Sequence, residues 1–317
     1  MTSIASLPSD YRALIEGCGL LDRSERGKLA LSGGEAKAFL QGQVTNDVEA
    51  LEPGTGCYAA LLTPKGKMLA DLRVLDTGTE LLLDTERGAL QGLFNATRRT
   101  MIGYDAELHK RTLERGLVSL IGPEAPGLAG VECLAGEPEH SHLVHEIGEV
   151  PVRAVRTEVG IDLLCDSAHL STLMSALEHA GARPVGEDIA EVIRVERGRP
   201  RYGVDLDETV IPQEAGLNER AVSFTKGCYV GQETVARLHY RGKPNRHLRG
   251  LRLSAPAAPG DPIIAGQREV GRLASVVVSP RLGPIALALV RREVAVGDSV
   301  SIGAGTATAQ VVQLPFA

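Results

Sequence analysis

Apolar positions along this chain follow two textures, and the change falls near residue 246. Before it, strand-like runs alternate with helical periodicity. Residues 9–17 predict a short helix opened by Ser9 or Asp10, with strands to follow at 20–22 and 28–31. Ser32 and Glu35 have the spacing of a capping box ahead of Ala36, Phe39 and Leu40, so a helix is expected there. Residues 56–63 and 68–75 read as strands joined by a Pro64-Lys65-Gly66-Lys67 turn, and 80–84 extends the sheet. Leu90, Leu93, Phe94, Thr97 and Met101 share one helical face, which predicts an amphipathic helix over 85–101.

Residues 126–150 are rich in Gly, Pro, Glu and His and predict irregular or hairpin structure. Strands at 152–156 and 160–165 precede a helix at 167–180, with Ser167 as its N-cap. Another helix at 186–197 is stopped by Gly198 and Pro200. After residue 246, short Val/Leu/Ile runs at 248–253, 270–278, 285–290, 299–302 and 307–312 are cut by Gly, Pro and Asp. That is an all-β pattern, most economically a small barrel or sandwich. The expected organisation is a mixed α+β body at 1–245, read as two intertwined subdomains, and a β module at 246–317.

A faint echo runs through the body. Glu25-Arg26-Gly27, a strand, Gly33 and Glu35-Ala36 recur as Glu114-Arg115-Gly116, a strand, Gly122 and Glu124-Ala125. Duplication of a strand-and-helix unit and coincidence both account for it.

Composition narrows the class. At 317 residues the chain exceeds one core and suggests two or three domains. Aromatic residues are only 3% and Trp is absent, so Val, Ile, Leu and Ala must fill the interior. The apolar run at 3–7 is too short for a secretory signal, and runs such as 284–290 fall far short of the roughly 20 residues of a membrane span. The five cysteines are scattered, odd in number and without a Cys-x-x-Cys pair. A reducing compartment, the cytoplasm by default, is therefore expected, rather than a disulfide framework or a four-cysteine zinc site.

Net charge is −6, which disfavours indiscriminate nucleic-acid binding. Locally the balance reverses. Arg237, Arg241, Lys243, Arg246, Arg249 and Arg252 follow one another with no acidic residue among them, either as a solvated basic hairpin or as an anion-binding rim. His140, His142 and His145, near Cys133 and Glu146, hint at a metal site, but no ligand set is evident and none is expected. Neither a Gly-x-Ser-x-Gly elbow nor a phosphate loop is present.

Cys228 is the most distinctive candidate. It sits between Gly227 and a Tyr-Val-Gly turn, with Lys226 two residues before it. A nearby cation favours the thiolate, the form that attacks electrophiles, whereas the bland reading is a small buried hydrophobe.

The stretch Lys226-Gly227-Cys228-Tyr229-Val230-Gly231-Gln232-Glu233 resembles the signature of the YgfZ-type family, which is related to the T-protein of the glycine cleavage system. Residues 39–47, the Lys65-Gly66-Lys67-Met68 turn, Val195-Glu196-Arg197-Gly198, Tyr202-Gly203-Val204-Asp205 and Ile211-Pro212-Gln213-Glu214 resemble further family segments. The likeness runs from about residue 20 to 250.

The resemblance implies a ring-like α+β body around a folate pocket, closed by a C-terminal β-barrel. Tetrahydrofolate or a one-carbon derivative is the implied cofactor. Glu196 would accept the pterin's amino group and ring N–H side by side. Gln213, Tyr229, Gln232, Glu233, Arg237, Tyr240 and Arg241 are its other expected binding residues, with Arg237 and Arg241 facing the glutamate tail. Cys228, Lys226 and Asp71 are the expected chemical residues. T-protein-like aminomethyltransferases carry an Asp-Asp pair where this chain has Ala70 and Asp71, so half the pair is gone.

The implied function is that of an accessory protein in iron–sulfur cluster assembly or repair, acting through Cys228, rather than a classical enzyme. Its partners would be iron–sulfur proteins or their assembly factors, with tRNA modification as a downstream link. Neither a membrane nor direct nucleic-acid contact is expected. The alternative is a folate-dependent aminomethyltransferase or demethylase.

Overall fold

The computed structural model describes residues 7–303, 305 and 307–316, so most of the apolar run at 3–7 lies outside the described residues. In chain order the body comprises α1 (Ser9–Glu16), β1 (Gly19–Asp22), β2 (Gly27–Ser32), α2 (Ala36–Gln41), β3 (Gly56–Leu62), β4 (Met68–Asp76), β5 (Leu81–Thr85), α3 (Leu90–Thr100) and β6 (Glu107–Lys110). It continues with β7 (Arg115–Ile121), α4 (Ala125–Leu128), β8 (His142–Ile147), β9 (Val150–Thr157), β10 (Gly160–Asp166), α5 (Leu170–His179), β11 (Arg183–Pro184), α6 (Glu187–Glu196), α7 (Asn218–Ala221) and α8 (Gln232–Arg241).

These strands form two sheets, ordered β3-β4-β5-β2-β6 and β8-β9-β10-β7-β1-β11. The orders match once β1 is recognised as an insertion. Each unit runs strand, helix, three-strand meander, helix, strand, and its first strand pairs antiparallel with the meander's last. In the second unit β1 is wedged between β7 and β11. The echoed glycines share a role: Gly33 has φ +114° and Gly122 φ +130°. A Cβ there would meet the Asp105 or the Gly17 carbonyl oxygen at 2.4 or 2.3 Å, so only glycine turns each strand into its helix. The echo is thus a repeat of topology as well as of sequence.

Each sheet has its own core. Leu29, Leu31, Phe39, Leu40, Leu72, Val74, Leu83 and Leu93 fill one, and Leu20, Val118, Leu120, Ile161, Leu163, Leu173 and Leu177 the other. Helix α6 bridges outward. Ala190, Val192 and Ile193 pack on Tyr11 and Leu14 of α1, while Val195 joins Leu248, Ile285, Leu287 and Phe316 at the barrel.

The barrel comprises β12 (Arg246–Leu253), β13 (Pro262–Ala265), β14 (Arg268–Ser279), β15 (Gly283–Arg291), β16 (Ser299–Ile302) and β17 (Ala307–Val312), closed in the order β12-β15-β14-β13-β16-β17. Closure removes sheet edges, and alternation points Ala307, Ala309 and Val311 inward. The α+β body with a C-terminal β-barrel is therefore the observed architecture. Among the described residues no helix is long and apolar enough to cross a membrane.

Several local expectations fail for identifiable reasons. The Ser32–Glu35 capping box does not form, because Ser32 Oγ meets His109 and Glu35 accepts the Asp105 N–H. The helix expected over 85–101 starts only at Leu90; Thr85 ends β5 and its hydroxyl binds the Asp71 carbonyl. Ser167 begins a 3-10 turn capped by the Asp166 carboxylate, which accepts the Ala168 N–H. By contrast, the hairpin alternative for 126–150 holds: residues 142–147 form β8, which pairs antiparallel with β9. The basic stretch is no hairpin: α8 ends at Arg241 and β12 begins at Arg246.

Candidate functional site

Strand pairing sets up the site. Ala60 of β3 faces Asp71 of β4, and Tyr58 faces Arg73, so Tyr58 and Asp71 project from the same face as diagonal neighbours. The Tyr58 hydroxyl donates to Asp71 Oδ2 at 2.6 Å. Both line a cavity of about 220 Å³ where the two sheets meet α6.

Eight arginines and six carboxylates line that cavity. Arg73 ties the sheets together, donating to Asp84 of β5 at 2.6 Å and to Asp162 of β10 at 2.5 Å. Arg26 binds both Asp84 oxygens and reaches Glu86. Burial works against the charge of Asp84, but Arg26 and Arg73 outweigh it and hold the carboxyl well below the usual range. Asp71 has no such clamp. Burial pushes it up to about 6, against the lowering effect of the Tyr58 hydrogen bond. A carboxyl poised there trades protons near neutral pH.

Arg220, His140 and Arg197 also line the cavity. The Arg220 guanidinium lies 5.0 Å from the Tyr58 ring centroid and donates to both Glu139 oxygens at 3.1 Å. Arg197, just past α6, is exposed and forms no ion pair among the described residues.

A second cavity, about 600 Å³, shares Thr157, Glu158, Val159, Ile193 and Arg197 with the first. Glu196 lies here, 6% exposed, and accepts the Tyr11 hydroxyl at 2.9 and 3.0 Å and the Ser279 hydroxyl. Arg281 stands 3.7 Å from it. Asp71 and Glu196 thus open onto adjoining cavities with a common wall.

Lys226 is elsewhere. Its ammonium is buried and donates to the carbonyls of Gln41, Val44 and Asn46 at 2.6, 2.7 and 2.8 Å, a clasp on the chain leaving α2. Burial, opposed by Asp47, lowers it to about 8. Cys228 is exposed beyond this clasp, while Tyr229 is buried against Leu62, Met68 and Val235. The loop is pinned by Gly231, whose φ of +85° and approach to the Thr63 carbonyl leave no room for a Cβ. On α8 only Val235 is buried, so Glu233, Arg237, Tyr240 and Arg241 face outward, with Gln232 at its start. Phe224 stacks on His239 with centroids 3.8 Å apart, and Tyr240 meets both rings edge-on.

Comparison with known proteins bears on the whole chain. Residues 3–226 match the GCVT N-terminal domain model, and 246–317 match the glycine cleavage T-protein C-terminal barrel domain. The chain belongs to the glycine cleavage T-protein family. It is 31% identical over 324 residues to an aminomethyltransferase of Rubrobacter xylanophilus, covering 98% of this chain and 86% of the relative. An aminomethyltransferase of Synechococcus is 32% identical over 325 residues, covering 98% and 90%. The crystal structure of glycine cleavage system aminomethyltransferase T from Bartonella henselae shares the fold, with TM-score 0.86 at 23% identity over 97% of this chain and 88% of that one.

Within this T-protein-type fold the sequence-expected residues separate into three places. Asp71 lines the central cavity and Glu196 the adjoining one. Gln213, Lys226, Cys228, Tyr229, Gln232, Glu233, Arg237, Tyr240 and Arg241 line neither. Closeness in sequence to the signature does not carry over to the cavity, because α8 turns its polar face to solvent. Lys226 spends its three donors on backbone carbonyls and so clasps the 41–46 segment. The three histidines part company too: His140 faces the central cavity, and His142 contacts the Thr55 carbonyl and Arg153. No group of three or more metal-ligating side chains is arranged for a metal among the described residues.

His140 was weighed only as a metal ligand, and Tyr58, Arg73 and Arg220 went unmarked by sequence reasoning. Tyr58 was accessible to it, since a hairpin turning at residues 64–67 pairs 60 with 71 and brings 58 beside them.

Proposed function

We propose that the protein binds tetrahydrofolate in its central cavity and carries out folate-dependent one-carbon transfer, with Asp71 at the reacting end. The observation that carries this reading is Asp71 itself, a buried cavity carboxyl poised near pH 6 and oriented by Tyr58. Aminomethyltransferases of this family use tetrahydrofolate, which supports the reading. The cavity walls also suit such a ligand: among the described residues His140 presents a buried ring nitrogen with no hydrogen-bond partner, and Arg197 a guanidinium outside every ion pair.

Bound there, tetrahydrofolate supplies a ring nitrogen that accepts a one-carbon unit. Asp71 would take up or return the proton released as that nitrogen reacts, within the range where its own proton is exchangeable. Tyr58 fixes the carboxylate's direction. Arg197, which faces both cavities, suits a tail carboxylate, and Glu196 retains acceptor capacity beside Tyr11 and Ser279. The Asp84–Arg73–Asp162 bridge holds the two sheets at fixed separation, so the cavity keeps its shape. The absence of a second aspartate at Ala70 leaves Asp71 as the sole proton-transfer carboxylate of that pair.

Calorimetric titration with tetrahydrofolate and its 5-formyl form should give one site per chain. A flat titration with both would sink the reading.

A second reading rests on a separate observation: Cys228 is exposed and lies outside both cavities, in a segment between the two matched spans. We infer from it a YgfZ-type role in which the thiol meets a partner protein of the iron–sulfur assembly class while folate occupies the interior. None of the five cysteines is in a disulfide. Cys228→Ser should leave folate affinity unchanged and remove support of iron–sulfur enzymes in cells. Full support by the serine variant would end this reading without touching the first.

A further inference from the structure

His140 is the one non-glycine residue with positive φ among the described residues, at +75°. The left-handed region is uncommon for any residue but glycine, and histidine, though it enters it more readily than most, carries a local backbone cost there. The surroundings enforce it. The His140 N–H donates to the Arg156 carbonyl at 2.9 Å, and the Ser141 N–H to that of Pro138 at 3.1 Å. Gly56 makes room, since a Cβ on it would stand 3.1 Å from the His140 Cβ.

The strain carries a buried imidazole into the central cavity, 6% exposed, between the Arg220–Glu139 pair and the Arg73–Asp162 bridge. Neither ring nitrogen finds a hydrogen bond among the described residues. Nδ1 is fully buried without a partner, and Nε2 stands 4.0 Å from Glu139, beyond hydrogen-bond range. Burial pushes the ring down to about 4, despite Glu139, so it is neutral at pH 7 with one donor and one acceptor. A buried polar group left without a partner is costly, and strain concentrates where ligands bind. Here both costs fall on one residue at the wall of one cavity.

We propose that His140 is a binding residue of the central cavity, its imidazole exchanging a hydrogen bond with the polar head of a bound tetrahydrofolate. This rests on the folate reading above. The ligand supplies the partner that the protein withholds, and the positive-φ turn exists to aim the ring.

His140→Asn and His140→Gly both suit the backbone at this φ, so both should fold. The apoproteins should melt at or above the wild-type temperature, since strain and an unpaired buried ring are removed. Calorimetry with 5-formyl-tetrahydrofolate should show affinity weaker by about tenfold in both, the loss of one net hydrogen bond. In the wild type, nitrogen-15 ring signals of His140 should shift on titration. Wild-type binding with variants within about twofold of it, or unmoved ring signals, overturns the role of His140 and leaves the folate reading standing. No binding by the wild type overturns both.

Discussion

Asp71→Asn should lower folate-dependent one-carbon transfer by at least about 100-fold, the usual span for losing a positioned proton-transfer group. The same substitution should make the protein more stable above pH 6. The folded carboxyl is raised by burial from about 3.8 to about 6, so between these values the folded state holds the proton more tightly than the unfolded one. Stability therefore falls as pH rises through that window, because above it a charged Asp71 must stay buried. A shift of that size is worth up to about 3 kcal/mol. Asparagine keeps the shape and an acceptor for Tyr58 without the charge. Urea denaturation of wild type and variant at pH 4 and pH 8 checks the sign: the variant's advantage should appear at pH 8 and vanish at pH 4. A variant that is inactive yet no more stable at pH 8 would mean Asp71 ionises freely in the folded state.

Lys226→Met should be the more damaging change to the fold. Three carbonyls on the 41–46 segment share one ammonium, and a methionine of similar length fills the space without supplying a donor. Leaving buried acceptors unsatisfied costs about 3 kcal/mol in all, or roughly 6 °C in melting temperature for a chain of this size. Amide exchange should quicken first at residues 42–48, where the clasp holds Thr45 and Val48 in the core. Because Lys226 immediately precedes the Gly227–Cys228 turn, this variant also separates two roles for the signature. A destabilised protein that still binds folate and keeps Cys228 chemistry identifies Lys226 as scaffold. Unchanged melting would show that the three bonds are replaced by water at little cost.

The repeat of topology explains how one small cavity acquires carboxylates from both sheets. Asp84 lies in the meander of the first unit and Asp162 in that of the second, and Arg73 spans them. Each meander strand displays alternate residues to one face, so two copies of the unit turned toward each other present matched rows of side chains to a shared space. Tyr58, Asp71 and Arg73 come from one row, Ser119 and Asp162 from the other.

Much of this was already determined by the sequence. Period-two runs cut by Gly, Pro and Asp predicted the β-rich C-terminal module, since alternation and turn chemistry are local properties. The echo at Gly33 and Gly122 was legible because only glycine accepts those dihedrals. The family motifs pointed to Asp71 and Glu196 as residues of consequence. Tertiary structure alone decided the rest. It divided Asp71 from Glu196 into adjoining cavities, turned α8 and its arginines to solvent, and committed Lys226 to three carbonyls far back in the chain. It also turned His140, which the sequence reading weighed as a metal ligand and set aside, into a lone strained imidazole facing the cavity. Burial and contacts between segments apart in the chain fix these outcomes, and no local pattern encodes them.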